Sequence, residues 1–202
     1  MDVSKYNTRK ILETIEARFK EVANLDGDFS VIPMPFEHHL QVKTDKEKSK
    51  AHGEVFTPIW VVDSMLERYS DFELKDKTQI WTDICSGYGQ MTVRLLRKKY
   101  TLLGNKFDIK KHLFEMHYFS EIQLSSCYKL IHIFSPKINL FIGDAKKLNS
   151  LPDNCSGIYV YKNGWNDITD YVKELFATPK RKYNQESENL FVEKLRGYID
   201  GI

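Results

Sequence analysis

Apolar positions along the chain change their period several times, and each change marks an expected element. Ile11, Leu12, Ile15, Phe19 and Val22 share one helical face and predict an amphipathic helix over about residues 5–24, stopped by Asp26-Gly27-Asp28. Residues 41–52 (QVKTDKEKSKAH) are polar and charged and read as a loop or linker. Thr57-Pro58 reads as a helix start: a hydroxyl at the N-cap, then the residue that loses nothing in a first turn. Val61, Val62, Met65, Leu66 and Tyr69 continue at helical spacing. QIWTDIC (79–85) predicts a buried strand, and SGYGQ turns the chain into a helix over 91–99, with another over 108–116. Strands are expected at 116–122, 138–145 and within SGIYVYK, and helices at 124–134, 167–176 and 188–199.

Strands alternating with helices predict an α/β chain with a mostly parallel sheet covered on both faces and an N-terminal helical extension. The expected organisation is an N-terminal helix and charged linker over 1–50, a sheet domain over 51–178 and a helical tail over 179–202. Only four strands precede residue 170, so the sheet looks truncated and its fourth strand an edge with unpaired backbone groups. Terminal helices, a partner subunit or a second copy of the chain would have to cover it.

Composition narrows the classes. With 202 residues, 42% hydrophobic and a formal charge of +2, the chain is long enough for a core, and its overall charge does not argue for nucleic acid. The local basic runs (Lys43, Lys46, Lys48, Lys50; Arg94, Arg97, Lys98, Lys99; Lys180, Arg181, Lys182) read as solvated faces and linkers. Cys85, Cys127 and Cys155 lack metal-ligand spacing and leave one thiol over, which suits a reducing compartment and no metal. No stretch of ~18 apolar residues occurs, so a cytoplasmic protein with no membrane partner is expected.

Candidate chemistry gathers at the expected strand ends, where open α/β sheets bind ligands. Asp83 precedes Gly87 and Gly89, whose turn would let a backbone approach a ligand closely. Glu121 closes the second strand and suits the two hydroxyls of a ribose. Asp144, after Gly143, suits an adenine amino group. The fourth strand runs into Lys162-Asn163-Gly164-Trp165.

Taken in order, GEVFTPIWVVDSML, DICSGYGQMTVRLL, HYFSEIQLSS and FIGDAKKL resemble the N6-adenine DNA methyltransferase family of class I S-adenosylmethionine-dependent enzymes, across about residues 52–170. The resemblance implies a Rossmann-like methyltransferase fold that binds S-adenosylmethionine. Phe56, Thr57 and Pro58 would lie against its methionine part, Asp83 would face its ammonium, Gly87 and Gly89 would pass beneath it, and Glu121 and Asp144 would hold ribose and adenine. It also implies DNA as a partner, in restriction-modification. At the end of strand four the family carries Asn or Asp, Pro-Pro and an aromatic residue, which grip a flipped adenine. This chain has Lys162, Asn163, Gly164 and Trp165 there, and a shift of one residue would instead put Asn163 at the family's Asn.

A protonated lysine offers donors and no acceptor. Against a positive charge developing at ~4 Å it costs about 4 kcal/mol at an effective dielectric near 20. The reading that follows is a catalytically impaired, cofactor-binding relative that acts as a subunit, regulator or DNA-associated factor. The alternatives are an active DNA adenine methyltransferase with a divergent loop, and a cofactor-free interaction module.

Overall fold

The computed structural model describes residues 7–25, 29, 57–153, 155–177 and 182–201. Expectations for the Asp26-Gly27-Asp28 stop, the charged stretch 41–52 with its lysines, Phe56, and Lys180-Arg181 lie outside the described residues. The chain forms two compact units. One joins Met1–Gln79 to Gly89–Ile109, and the other joins Ile80–Tyr88 to Lys110–Ile202.

The first unit is helical among its described residues. It holds α1 (Asn7–Ala23), α2 (Ile59–Leu66), α3 (Asp71–Lys75) and α4 (Gln90–Leu103), and a short 3-10 turn follows α4. The expected stripe Leu12, Ile15, Phe19 and Val22 is buried on α1. α1, α2 and α3 all pack on α4. The basic run on α4 is not a solvated face. Arg94 donates from Nε and Nη2 to the Asp63 carboxylate at 2.6 and 2.8 Å, and from Nη1 to the Phe29 carbonyl. Arg97 pairs with Glu16 of α1, Lys98 donates to the Leu66 carbonyl at 2.8 Å, and Lys99 is buried. Acidic partners on neighbouring helices turn a charged stripe into an interface, because a buried guanidinium is tolerated only when its donors are met.

The start of α2 also differs from expectation. The helix begins at Ile59, and Pro58 occupies the cap position with extended backbone and no side-chain cap. The Val61 and Val62 N–H groups go to the Pro58 carbonyl, which leaves Thr57 one residue outside. The Thr57 carbonyl accepts from the Gln90 side chain. A full capping box appears instead at α3, between Ser70 and Glu73.

The second unit is built on a five-stranded sheet: β1 (Trp81–Ile84), β2 (His117–Glu121), β3 (Asn139–Ile142), β4 (Ile158–Tyr161) and β5 (Trp165–Asp167). The strands lie in that order; β1 to β4 are parallel, and β5 runs antiparallel to β4. Helix α5 (Ile109–Glu115) leads into β2, and α6 (Leu124–Ile133), α7 (Thr169–Leu175) and α8 (Gln185–Gly201) complete the unit. The register puts Asp83, Phe119, Glu121, Leu140, Ile142, Ile158 and Val160 on one face. That face is buried, α6 packs on β2 and β3, and α8 packs on α6. The opposite face carries an aromatic row, with Phe141 stacked between Tyr118 at 6.2 Å and Tyr159 at 5.8 Å.

One expectation changes here. The fourth strand is not an edge, because β5 folds back and pairs with it. The expected α/β architecture with a mostly parallel sheet is present and is compatible with a Rossmann-like fold; the order of the described strands does not reverse, and β1 and β5 are the two edges.

Candidate ligand site at the carboxyl edge of the sheet

At the end of β1 the chain takes unusual backbone conformations in quick succession. Cys85 (φ 59°), Gly87 (φ 52°) and Gly89 (φ 77°) all lie in the left-handed region. At Gly87 and Gly89 a side chain would be strained, which explains the glycines; Cys85 carries that strain. Ser86 holds the turn to the sheet: its hydroxyl donates to the Asp83 carbonyl at 2.6 Å and its N–H to the Ser120 carbonyl at 2.9 Å.

Glu121 has a role that the sequence did not reveal. Its Oε2 accepts the Gly87 N–H at 2.8 Å, and its Oε1 accepts the N–H groups of Ile122 and Gln123, both at 2.8 Å. The side chain is buried and clamps the glycine turn of β1 to the end of β2. A carboxylate offers about four lone-pair positions, so one already serving three backbone donors cannot also take both hydroxyls of a ribose without releasing one of them.

Asp144 follows β3. It is exposed, and its Oδ1 accepts the Lys146 N–H at 3.0 Å, capping the 3-10 segment Ala145–Ser150. Its Oδ2 makes no hydrogen bond among the described residues. Asp83 lies one residue before the end of β1, Glu121 ends β2 and Asp144 follows β3, and all three carboxylates lie near enough to act on the Cys85 thiol. Burial first, then the charges of Glu121, Asp144 and Asp83, push its thiol above its ordinary value. Among the described residues no group of three or more His, Cys, Asp or Glu is arranged to hold a metal ion.

The other candidates do not join this cluster. Lys162, Asn163 and Gly164 are the tight turn of the β4–β5 hairpin, closed by the Lys162 N–H on the Gly164 carbonyl at 2.8 Å. Asn163 (φ 55°) takes the left-handed conformation that Asn tolerates best after Gly. The Lys162 ammonium donates to the Ile199 carbonyl. Trp165 packs edge-on against Tyr161 at 5.3 Å and Phe141 at 5.4 Å, and its indole N–H reaches the Lys147 carbonyl at 3.2 Å. β4 is the third strand from β1, roughly 14 Å away at ~4.8 Å per strand. Of the acidic strand ends, only the Gly143-Asp144 turn neighbours Trp165, whose ring lies over Gly143. Thr57, Pro58 and Gly89 belong to the helical unit, where Gly89 occupies the N-cap of α4.

Tyr88, Lys129 and Glu188, joined by the half-buried Tyr183, form a polar group that sequence reasoning missed. The available signal was Lys129 itself, a charge inside the largely apolar run Cys127 to Phe134, whose other basic side chain is His132. No helix among the described residues is long and apolar enough to cross a membrane. The chain matches no protein-family model, no curated protein and no solved structure.

Proposed function

We propose that the carboxyl edge of β1 to β3 binds S-adenosylmethionine, and that the protein is a methyltransferase-like cofactor-binding chain impaired in methyl transfer. The observation behind this is the convergence of Asp83, Glu121 and Asp144 around a glycine turn. S-adenosylmethionine carries one carboxylate, which would have to face away from this edge; its ammonium, sulfonium, two ribose hydroxyls and adenine amino group are cationic or hydrogen-bond donating. A pyrophosphate-containing nucleotide would instead meet three like charges.

Asp83 supplies the counter-charge for the ammonium, and Asp144 offers Oδ2 to a donor. Glu121 acts through its charge and by fixing Gly87, with its hydrogen bonds committed to the backbone. Bound there, the ligand brings an electrophilic methyl group. The residues expected to receive a flipped adenine are occupied elsewhere: Lys162 at the end of α8, and Trp165 against Tyr161 and Phe141. With the strand order 1-2-3-4-5, that hairpin neighbours the Asp144 end of the site and stands three strands from Asp83.

Titration calorimetry with S-adenosylmethionine, S-adenosylhomocysteine and ATP tests the binding. The first two are expected to bind and ATP to be rejected. No heat with S-adenosylmethionine at millimolar ligand, or equal binding of ATP, would overturn the reading. Labelled methyl transfer to mixed-sequence DNA by the chain alone would overturn the impaired half of it.

A further inference from the structure

The glycine turn is anchored from two directions within the sheet unit. Glu121 takes the Gly87 N–H, and the next side chain, Tyr88, points into the unit's interior. There the Lys129 Nζ donates to Tyr88 Oη at 3.1 Å and lies 4.4 Å from the centre of its ring. Lys129, on α6, is 5% exposed and pairs at 3.5 Å with Glu188 of α8, which is 3% exposed. Tyr183 donates its hydroxyl to the same carboxylate. Burial and the neighbouring Glu188 push the Tyr183 phenol well above its ordinary value, so it remains a donor. A continuous buried chain therefore runs from the C-terminal helix, through one cation, to the residue between Gly87 and Gly89.

We infer that Lys129 and Glu188 are positioning residues that set the ligand affinity of the glycine turn from α8. The inference takes its ligand from the S-adenosylmethionine reading. The physical case stands on the geometry. A buried lysine needs a counter-charge, and Glu188 supplies it. Held in that pair, the ammonium has one fixed direction in which to meet Tyr88. Tyr88 in turn limits the left-handed turn to one arrangement, so a ligand that lies on the turn does not have to order it on binding.

The test uses the full chain, with S-adenosylmethionine as probe and hydrogen exchange of the Gly87 amide as a readout independent of ligand. Tyr88→Phe keeps the ring and removes the hydroxyl that accepts from Lys129; it is expected to weaken binding about fivefold, the worth of one hydrogen bond. Glu188→Gln is expected to weaken binding further. Both should speed exchange at Gly87. Glu188→Gln leaves a buried cation unpaired and risks unfolding, so Lys129→Met combined with Glu188→Leu provides the control. That double variant replaces the pair with apolar groups and is expected to hold its stability while binding stays weak and exchange fast. Wild-type affinity and wild-type exchange in the double variant would overturn the inference, since the pair would then be structural only. If the wild type itself fails to bind the probe, the proposed function falls. Exchange at Gly87 in the three variants then decides the positioning role by itself.

Discussion

Lys162, in the turn of the β4–β5 hairpin, donates its ammonium hydrogen to the main-chain carbonyl of Ile199, near the end of α8. The last carbonyls of a helix have no partner within it and carry the negative end of its dipole, so a cation there is favourable. This accounts for a lysine at a position where a base-gripping loop would want an acceptor.

Lys162→Met is therefore expected to lower stability by about 0.5–1 kcal/mol, through the lost contact with the helix end. Lys162→Asn is expected to cost the same and to create no methyl transfer, because the substitution leaves the hairpin three strands from Asp83. Urea midpoints for both variants, together with a labelled-methyl assay on DNA, check this. Methyl transfer by Lys162→Asn would show that the hairpin is a catalytic loop after all.

Much of the architecture was legible because it rests on periodicity. The apolar stripe of α1, the four parallel strands and the helices between them lie within a few residues of where the pattern puts them. What escaped depends on partners distant in sequence. Arg94 reads as a surface charge until Asp63, 31 residues earlier, is brought against it. The short β5 carries no pattern of its own and exists because Asn163 and Gly164 accept left-handed backbone and return the chain onto β4. Strand order is likewise invisible locally: nothing in SGIYVYK says that it pairs with β3 and lies far from β1. At the site, the acidic strand ends were readable as residue types. That Glu121 spends its oxygens on backbone N–H groups was not.

Lys99 makes stability depend on pH in alkaline solution. Burial lowers its ammonium to about 8 from an ordinary 10.5, with Asp76 opposing the shift. Between those values the unfolded chain holds a proton that the folded chain has released, so stability rises with pH across the window and the burial penalty is fully present below it. Lys99→Met removes this contribution. The variant should be more stable than wild type at about pH 7, and the gap should shrink as pH rises to about 10. Urea midpoints measured for the pair across that range check the sign, and a gap that widened with pH would refute it.

Cys85 reports on the candidate site. The residue is exposed, but partial burial of its thiol and then three nearby carboxylates raise the thiol above its ordinary value. Because only the thiolate is nucleophilic, alkylation at Cys85 should be slow for an exposed cysteine near neutral pH. Asp144→Asn removes one of the opposing charges without disturbing a buried clamp and is expected to speed it severalfold. S-adenosylmethionine should slow it in the wild type. Peptide mapping after timed alkylation separates Cys85 from Cys155 and from the buried Cys127. Equal rates in Asp144→Asn and wild type would show that Asp144 does not act on this turn.

Gly143 and Gly197 provide opposite outcomes for the same substitution. A Cβ built on Gly143 would lie 2.9 Å from the Tyr161 Cβ and 3.5 Å from the Trp165 ring. The Tyr161 Cβ sits at the root of its side chain on β4 and cannot swing aside, so the sheet itself would have to move. Gly143→Ala is expected to cost about 1–3 kcal/mol, the usual range for overpacking. It should also alter Trp165 fluorescence, because the indole is held over that glycine. Gly197 lies exposed within α8 with nothing near its added methyl, so Gly197→Ala should stabilise the protein by about 0.5–1 kcal/mol through helix propensity alone. Urea unfolding of the two variants beside wild type resolves both signs. A neutral Gly143→Ala would mean that Trp165 and Tyr161 do not close over the turn before Asp144, and the wall between the hairpin and the acidic edge would have to be redrawn.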